Sequence, residues 1–155
     1  MGGLYDTDIP LLSEQQAGLL RRLAAGEQIY ESADWQNLAE AIEAVGESQS
    51  RELASRIATV LEHLIKLQAS PAIDPRNGWK STVRNARRGI ERSLKTSPSL
   101  RREVAEMIAD ETSAAKQDVA AVLKDYDEQP VVAIEGLTFA EEHVLGNWFP
   151  DDVPT

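Results

Sequence analysis

From Leu38 to Leu67 the chain repeats one spacing. Leu38, Ile42, Val45, Gln49, Leu53, Ile57, Val60, Leu64 and Leu67 step by three or four residues, and all but Gln49 are Leu, Ile or Val. That interval places them on one face of an α-helix. No proline interrupts the stretch, Asp34 stands where an N-cap would, and Gly46 is the one weak helix former along the stripe. The pattern predicts one long central helix over about 34–69. Fully burying each Leu, Ile or Val is worth roughly 1.5 to 3 kcal/mol, and the gain exists only against a partner surface. The remaining helices of the chain, or a second chain, must cover the stripe.

The other segments supply the cover. Ser13 followed by Gln16 is a capping-box spacing, and Ala17, Leu19, Leu20 and Leu23 give a helical face ending at Gly26, so a first helix is predicted over about 13–25. Pro71, Pro75 and Asn77-Gly78 end the long helix and turn the chain. A third helix is predicted from near Trp79 or Ser81, with Val83, Ala86, Ile90 and Leu94 inward. Ser97-Pro98 then reads as an N-cap and a first-turn proline. The fourth helix runs through Leu100, Val104, Met107, Ile108, Ala115, Val119 and Val122 to about Lys124, with Glu111 interrupting its face. Val131 to Ile134 is a short apolar run with no second strand to pair with, and reads as an extended segment whose backbone needs other partners. Thr138 with Glu141 repeats the capping-box spacing and opens a short helix to about Gly146, after which Trp148 and Phe149 form a terminal latch. Leu4 to Pro10 form a lead-in that pins the start of the chain. The expectation is an all-α fold, a small helical bundle of four main helices plus a short C-terminal helix, in a single domain over 1–155.

Composition narrows the function classes. The 155 residues include no Cys, which excludes disulfides, thiolate zinc sites and cysteine nucleophiles. The first residues are acidic where a signal peptide is basic, Asp6 stands where a myristoylation signal has Ser or Thr, and no apolar run approaches the roughly 20 residues that cross a bilayer. A soluble cytoplasmic protein, with no membrane partner, is expected.

The net charge of −10 hides an asymmetry. Between Arg76 and Arg102 nine Lys or Arg stand against the single acid Glu91, a balance of plus eight. The rest of the chain holds seven bases and twenty-five acids, a balance of minus eighteen. On the third helix Lys80, Arg84, Arg87 and Arg88 recur at helical spacing and share a flank, which makes them candidates for gripping an anion or a partner. The commoner role of such a flank is a solvated basic surface or one paired with acids of the same chain. No aromatic interleaving and no glycine-rich phosphate loop accompanies these bases, and the acidic remainder opposes nucleic acid.

Several motifs in order resemble a family known as domain of unknown function 29. They are Leu4-Tyr5-Asp6-Thr7-Asp8, Gln16-Ala17 with Leu19-Leu20-Arg21, Asp34 with Asn37-Leu38, Glu40 with Ile42-Glu43, and Gly46. His63-Leu64 with Lys66, Trp79 with Thr82-Val83 and Arg87, and Ser97-Pro98-Ser99-Leu100 continue the series. Before the last helix, where that family often has a Cys-Pro step, this chain has Ile134-Glu135-Gly136-Leu137-Thr138. The resemblance implies an all-helical domain of bacterial origin, and it implies no reaction and no functional residues.

Catalytic and metal-binding patterns are weak. Glu40, Glu43 and His63 suggest a metal cluster, but neither histidine follows a Glu by three residues, the spacing a di-iron bundle uses, and two histidines cannot make a three-histidine site. Glu40 and His63 are 23 positions apart on one predicted helix, too far to share an ion unless the helix folds back near Gly46. His63 reads as a half-buried structural residue hydrogen-bonded across the bundle. No Gly-x-Ser-x-Gly elbow occurs. Trp35, Trp79 and Trp148 read as packing anchors. No catalytic, cofactor or metal residue is assigned. The expected function is a non-enzymatic protein-interaction or regulatory module whose partner is another protein or a second copy of itself. The alternatives are nucleic-acid binding by the basic helix over 79–95 and a metal-dependent hydrolase.

Overall fold

The long stripe does become one helix. In the computed structural model, which describes residues 9–27 and 32–150, the helices are α1 (Ile9–Ala24), α2 (Ser32–Ala69), α3 (Arg76–Thr96), α4 (Val104–Asp125) and α5 (Glu141–Leu145). Short 3-10 helices fill Pro98–Glu103 and Ile134–Gly136, and the described residues contain no strand. The fold is the all-α bundle expected, four main helices and a short C-terminal one. The chain divides into two compact units, residues 1–51 and 52–155, with the division inside α2.

In the first unit, α1 begins at Ile9 rather than at Ser13. Pro10 sits in its first turn, where a missing N–H breaks no helical bond. Ser13 is therefore inside the helix and is not its cap. The C-terminus is the stop expected at Gly26, whose φ of 84° is left-handed. The Gly26 N–H donates to the Leu23 carbonyl and the Glu27 N–H to the Arg22 carbonyl, both at 3.0 Å, the paired bonds of a Schellman ending. The lead-in over 4–8 and the connection over 28–31 lie outside the described residues. Helix α2 starts at Ser32, so Asp34 lies within its first turn and is not its N-cap. Leu38 and Ala41 are buried, while Trp35 is 52% exposed, Ile42 61% and Val45 40%. Trp35 is thus no packing anchor, and the first half of the stripe is largely uncovered.

In the second unit the same stripe is fully covered. Leu53, Ile57, Val60, Leu64 and Leu67 have no exposed surface, and Leu61 and Ile65 beside them are equally buried. Val83 and Ile90 of α3, Val104, Ile108, Ala115, Val119 and Leu123 of α4, Ile134, and Val144 of α5 complete this core. Trp79 and Trp148 pack on it as anchors. Leu123 rather than Val122 ends the buried face of α4, because Leu123 follows Val119 by a full four-residue step. His63 is half-buried, but its Nδ1 donates to the Thr59 carbonyl of its own helix at 2.8 Å rather than across the bundle.

Side chains and loops outside α2 satisfy its last carbonyls. Arg76 donates to Leu67 O at 2.8 Å, and the Val131 N–H donates to Ala69 O at 2.8 Å. Buried Ser70 donates its hydroxyl to Glu128 at 2.9 Å and accepts the Ala72 N–H at 3.1 Å. The segment after α4 thereby finds the backbone partner that its isolated apolar run demanded. Val131 and Val132 stay exposed, and Ile134 is the residue that enters the core. α4 ends in a second Schellman arrangement with Asp127 at φ 54°, where glycine is the usual occupant.

Three further starts differ from the sequence pattern. Helix α3 begins at Arg76, directly after Pro75, rather than at Trp79. The turn after Ser97 is 3-10, closed by the Leu100 N–H on the Ser97 carbonyl at 3.0 Å, with no side-chain cap. Helix α5 starts at Glu141 after Ala140, so Thr138 is not its N-cap; the Ala140 N–H donates instead to His143 Nδ1 at 3.0 Å.

The two halves of the stripe should respond differently to truncation. Leu64→Ala is expected to cost about 2 to 5 kcal/mol, and Ile42→Ala to stay within about 0.5 kcal/mol. Urea unfolding monitored by circular dichroism measures both, and equal losses would mean that the first half is covered after all.

Candidate functional site

The cationic helix is organised around one inward arginine. Arg87 follows Val83 by four residues and precedes Ile90 by three, so it stands on the same arc as the buried apolar face of α3. It is 8% exposed. Its Nε donates to Val144 O at 2.9 Å, and its Nη2 donates to His143 O and to Trp148 O, both at 2.6 Å. A planar guanidinium can serve several carbonyls at once, which an ammonium on a flexible stem does less well. The accepting groups are the last carbonyls of α5 and the carbonyl of the residue that follows its turn. α5 is only five residues long and would not persist alone in water. Arg87 therefore caps and holds it.

Aromatic contacts finish the latch. The Phe149 ring lies 4.9 Å from the Arg87 guanidinium carbon and 5.2 Å from that of Arg84, within cation–π range of both. Trp148 sits against His143, ring centroids 4.7 Å apart and tilted by 47°.

Beside this latch is a cleft of about 400 Å³ lined by Arg84, Arg87, Arg88, Glu91, Leu145, Asn147 and Phe149. It brings together three of the four bases that the sequence marks. Lys80 lies about one helical turn before Arg84 on α3, is half-buried, and is not among the lining residues. Arg84 and Arg88 are exposed at the cleft; Arg88 donates to the Asn85 side chain. Among the described residues no ion pair joins Arg84, Arg87 or Arg88 to a carboxylate, although Glu91 lines the same cleft. Burial, and then the neighbouring charge of Arg84, push the Arg87 guanidinium below its usual pKa. Buried charges are ordinarily paired. Here carbonyl dipoles carry that duty, and among the described lining residues Glu91 is the one carboxylate beside the three arginines.

The arrangement can bind an anion by bidentate arginine contacts, with Leu145 and Phe149 as an apolar wall. It contains no nucleophile and base in mutual reach. The described residues bring no three His, Asp or Glu side chains together, and no described helix is long and apolar enough to cross a membrane. Leu145, Asn147 and Phe149 were not marked as site residues by the sequence. The available signal was the arginine at an apolar register position, which needed a polar acceptor from another part of the chain.

A family model described as Domain of unknown function DUF29 matches residues 4–148. No curated protein and no solved structure matches the chain.

Arg87→Lys should lower stability by about 2 to 3 kcal/mol, the range of one or two lost charge-assisted hydrogen bonds. Arg84→Ala, at an exposed position, should stay within about 0.5 kcal/mol. Urea unfolding followed by tryptophan fluorescence reads both, and a lysine that keeps full stability would refute the clasp.

Proposed function

The chain belongs to the domain of unknown function 29 family, and from this premise we propose that it is a non-enzymatic interaction module whose arginine-lined cleft receives an acidic segment of a protein. The observation that carries the reading is the grouping of Arg84, Arg87 and Arg88 in one cleft without a paired carboxylate. A carboxylate entering there gains charge-assisted bonds from the exposed Arg84 and Arg88. An apolar side chain beside it gains the surface of Phe149 and Leu145. Specificity follows from the same arrangement, because a basic segment would be repelled by the three guanidinium groups.

Protein is favoured over nucleic acid on charge. A phosphate backbone drawn by the plus eight of residues 76–102 is opposed by the minus eighteen of the rest of the chain. A short acidic peptide engages the cleft alone and avoids most of that repulsion, since charges beyond a Debye length of about 8 to 10 Å are screened.

The test is a titration with a fluorescently labelled poly-glutamate peptide and, separately, a labelled DNA duplex. Saturable peptide binding is expected at about 0.05 M salt and a roughly tenfold or greater loss at about 0.5 M. The Arg84→Glu, Arg88→Glu double variant should abolish it while keeping the native circular dichroism. Peptide binding that is indifferent to the double variant would overturn the reading. Duplex binding tighter than peptide binding, and lost in the same variant, would move the function to nucleic acid.

A further inference from the structure

The chain itself displays a surface with the chemistry that the cleft asks for. Between Trp35 and Ser50 there are three acids, Glu40, Glu43 and Glu47, and no base. All three are exposed, as are Trp35, Ile42 and Val45. At 3.6 residues per turn Trp35, Ala39, Ile42 and Gly46 fall within one narrow arc of α2, and Glu43 and Glu47 border it. This is an apolar seam with an acidic edge on one side. Ile42 is 61% exposed, although the same stripe is fully buried from Leu53 onward.

We propose that the occupant of the arginine cleft is this acidic seam of a second copy of the same chain. The deduction rests on the cleft reading above and names its partner. Glu43 and Glu47 are four residues apart on one helix, and Arg84 and Arg88 are four residues apart on another. Each pair spans about 6 Å along its axis, so two carboxylates meet two guanidinium groups at matching intervals. Ile42, next to Glu43, then faces the Leu145 and Phe149 wall. The charges supply register and encounter rate, and the apolar contact supplies the greater part of the affinity. Because the two surfaces differ, the contact is heterologous: each copy offers one seam and one cleft.

Such a contact has a distinctive test by complementation. Sedimentation velocity of the intact chain should show concentration-dependent association at about 0.05 M salt that weakens at about 0.5 M. One variant carries Arg84→Glu and Arg88→Glu, leaving its seam intact. The other carries Ile42→Asp and Glu43→Lys, leaving its cleft intact. All four substitutions are at exposed positions, so the native helical spectrum should be retained. Each variant alone should sediment as a monomer. Mixed in equal amounts they should form a dimer and nothing larger, because one working seam meets one working cleft. A wild-type chain that stays monomeric at low salt overturns the proposal. So does association that survives in both variants, or two monomeric variants whose mixture stays monomeric. In any of these cases, poly-glutamate binding that still depends on Arg84 and Arg88 leaves the cleft reading standing, and its absence removes that as well.

Discussion

Burial of one apolar stripe along half of α2 sets most of this structure. Leu53, Ile57, Val60, Leu64 and Leu67 lose all contact with water, as do Leu61 and Ile65 beside them. At roughly 1.5 to 3 kcal/mol for each such side chain the gain far exceeds what any surface ion pair supplies. α3 and α4 contribute the facing Val, Ile and Leu side chains, and their own apolar registers follow from that requirement. The polar ties at the end of α2 come second. Arg76 and the Val131 N–H can bond the carbonyls of Leu67 and Ala69 only because packing brings them there.

The second dependence is on Arg87. A five-residue helix has almost no intrinsic stability, since its carbonyls lack intrahelical donors. Arg87 supplies donors to two carbonyls of α5 and to that of Trp148, and Phe149 closes over the guanidinium. The residue that holds the latch thus also lines the cleft. One side chain therefore belongs to both the latch and the cleft.

How far the sequence disclosed this depends on the range of the forces involved. The extent of α2 was legible because a 3.6-residue period sustained over thirty positions has few competing readings, and Pro71 stops it. Gly26 was legible because its left-handed geometry is local. Helix starts were less so. Ser13, Asp34 and Thr138 each carry cap chemistry, yet the chain starts its helices at Ile9, Ser32 and Glu141, and at α5 the role falls to His143. The arginine flank was legible as a cluster, but Arg87 belonged to the inner face. Its register with Val83 and Ile90 held that information, and its acceptors, more than fifty residues away, could not be read from spacing. Trp35 failed as an anchor for the converse reason: periodicity shows which side chains share a face, not whether anything lies against it.

The exposed seam and the arginine-rich cleft are best understood together. A domain that used its charges only for solubility would intersperse both signs, because mixed surfaces avoid strong local fields. This chain instead concentrates bases on α3 and the turn after it and leaves acids on the exposed edge of α2. Single exposed ion pairs, such as Arg101 with Glu141 at 3.7 Å, contribute about 0 to 1 kcal/mol and do not justify segregation as a stabilising device. Segregated charge does provide orientation, since opposite patches steer two surfaces into one register and reject the reverse. In the proposed association, the apolar residues beside each patch, Ile42 on one and Phe149 on the other, would turn an oriented encounter into a lasting contact. Charge for direction beside greasy surface for persistence is the division of labour that the proposed association would use.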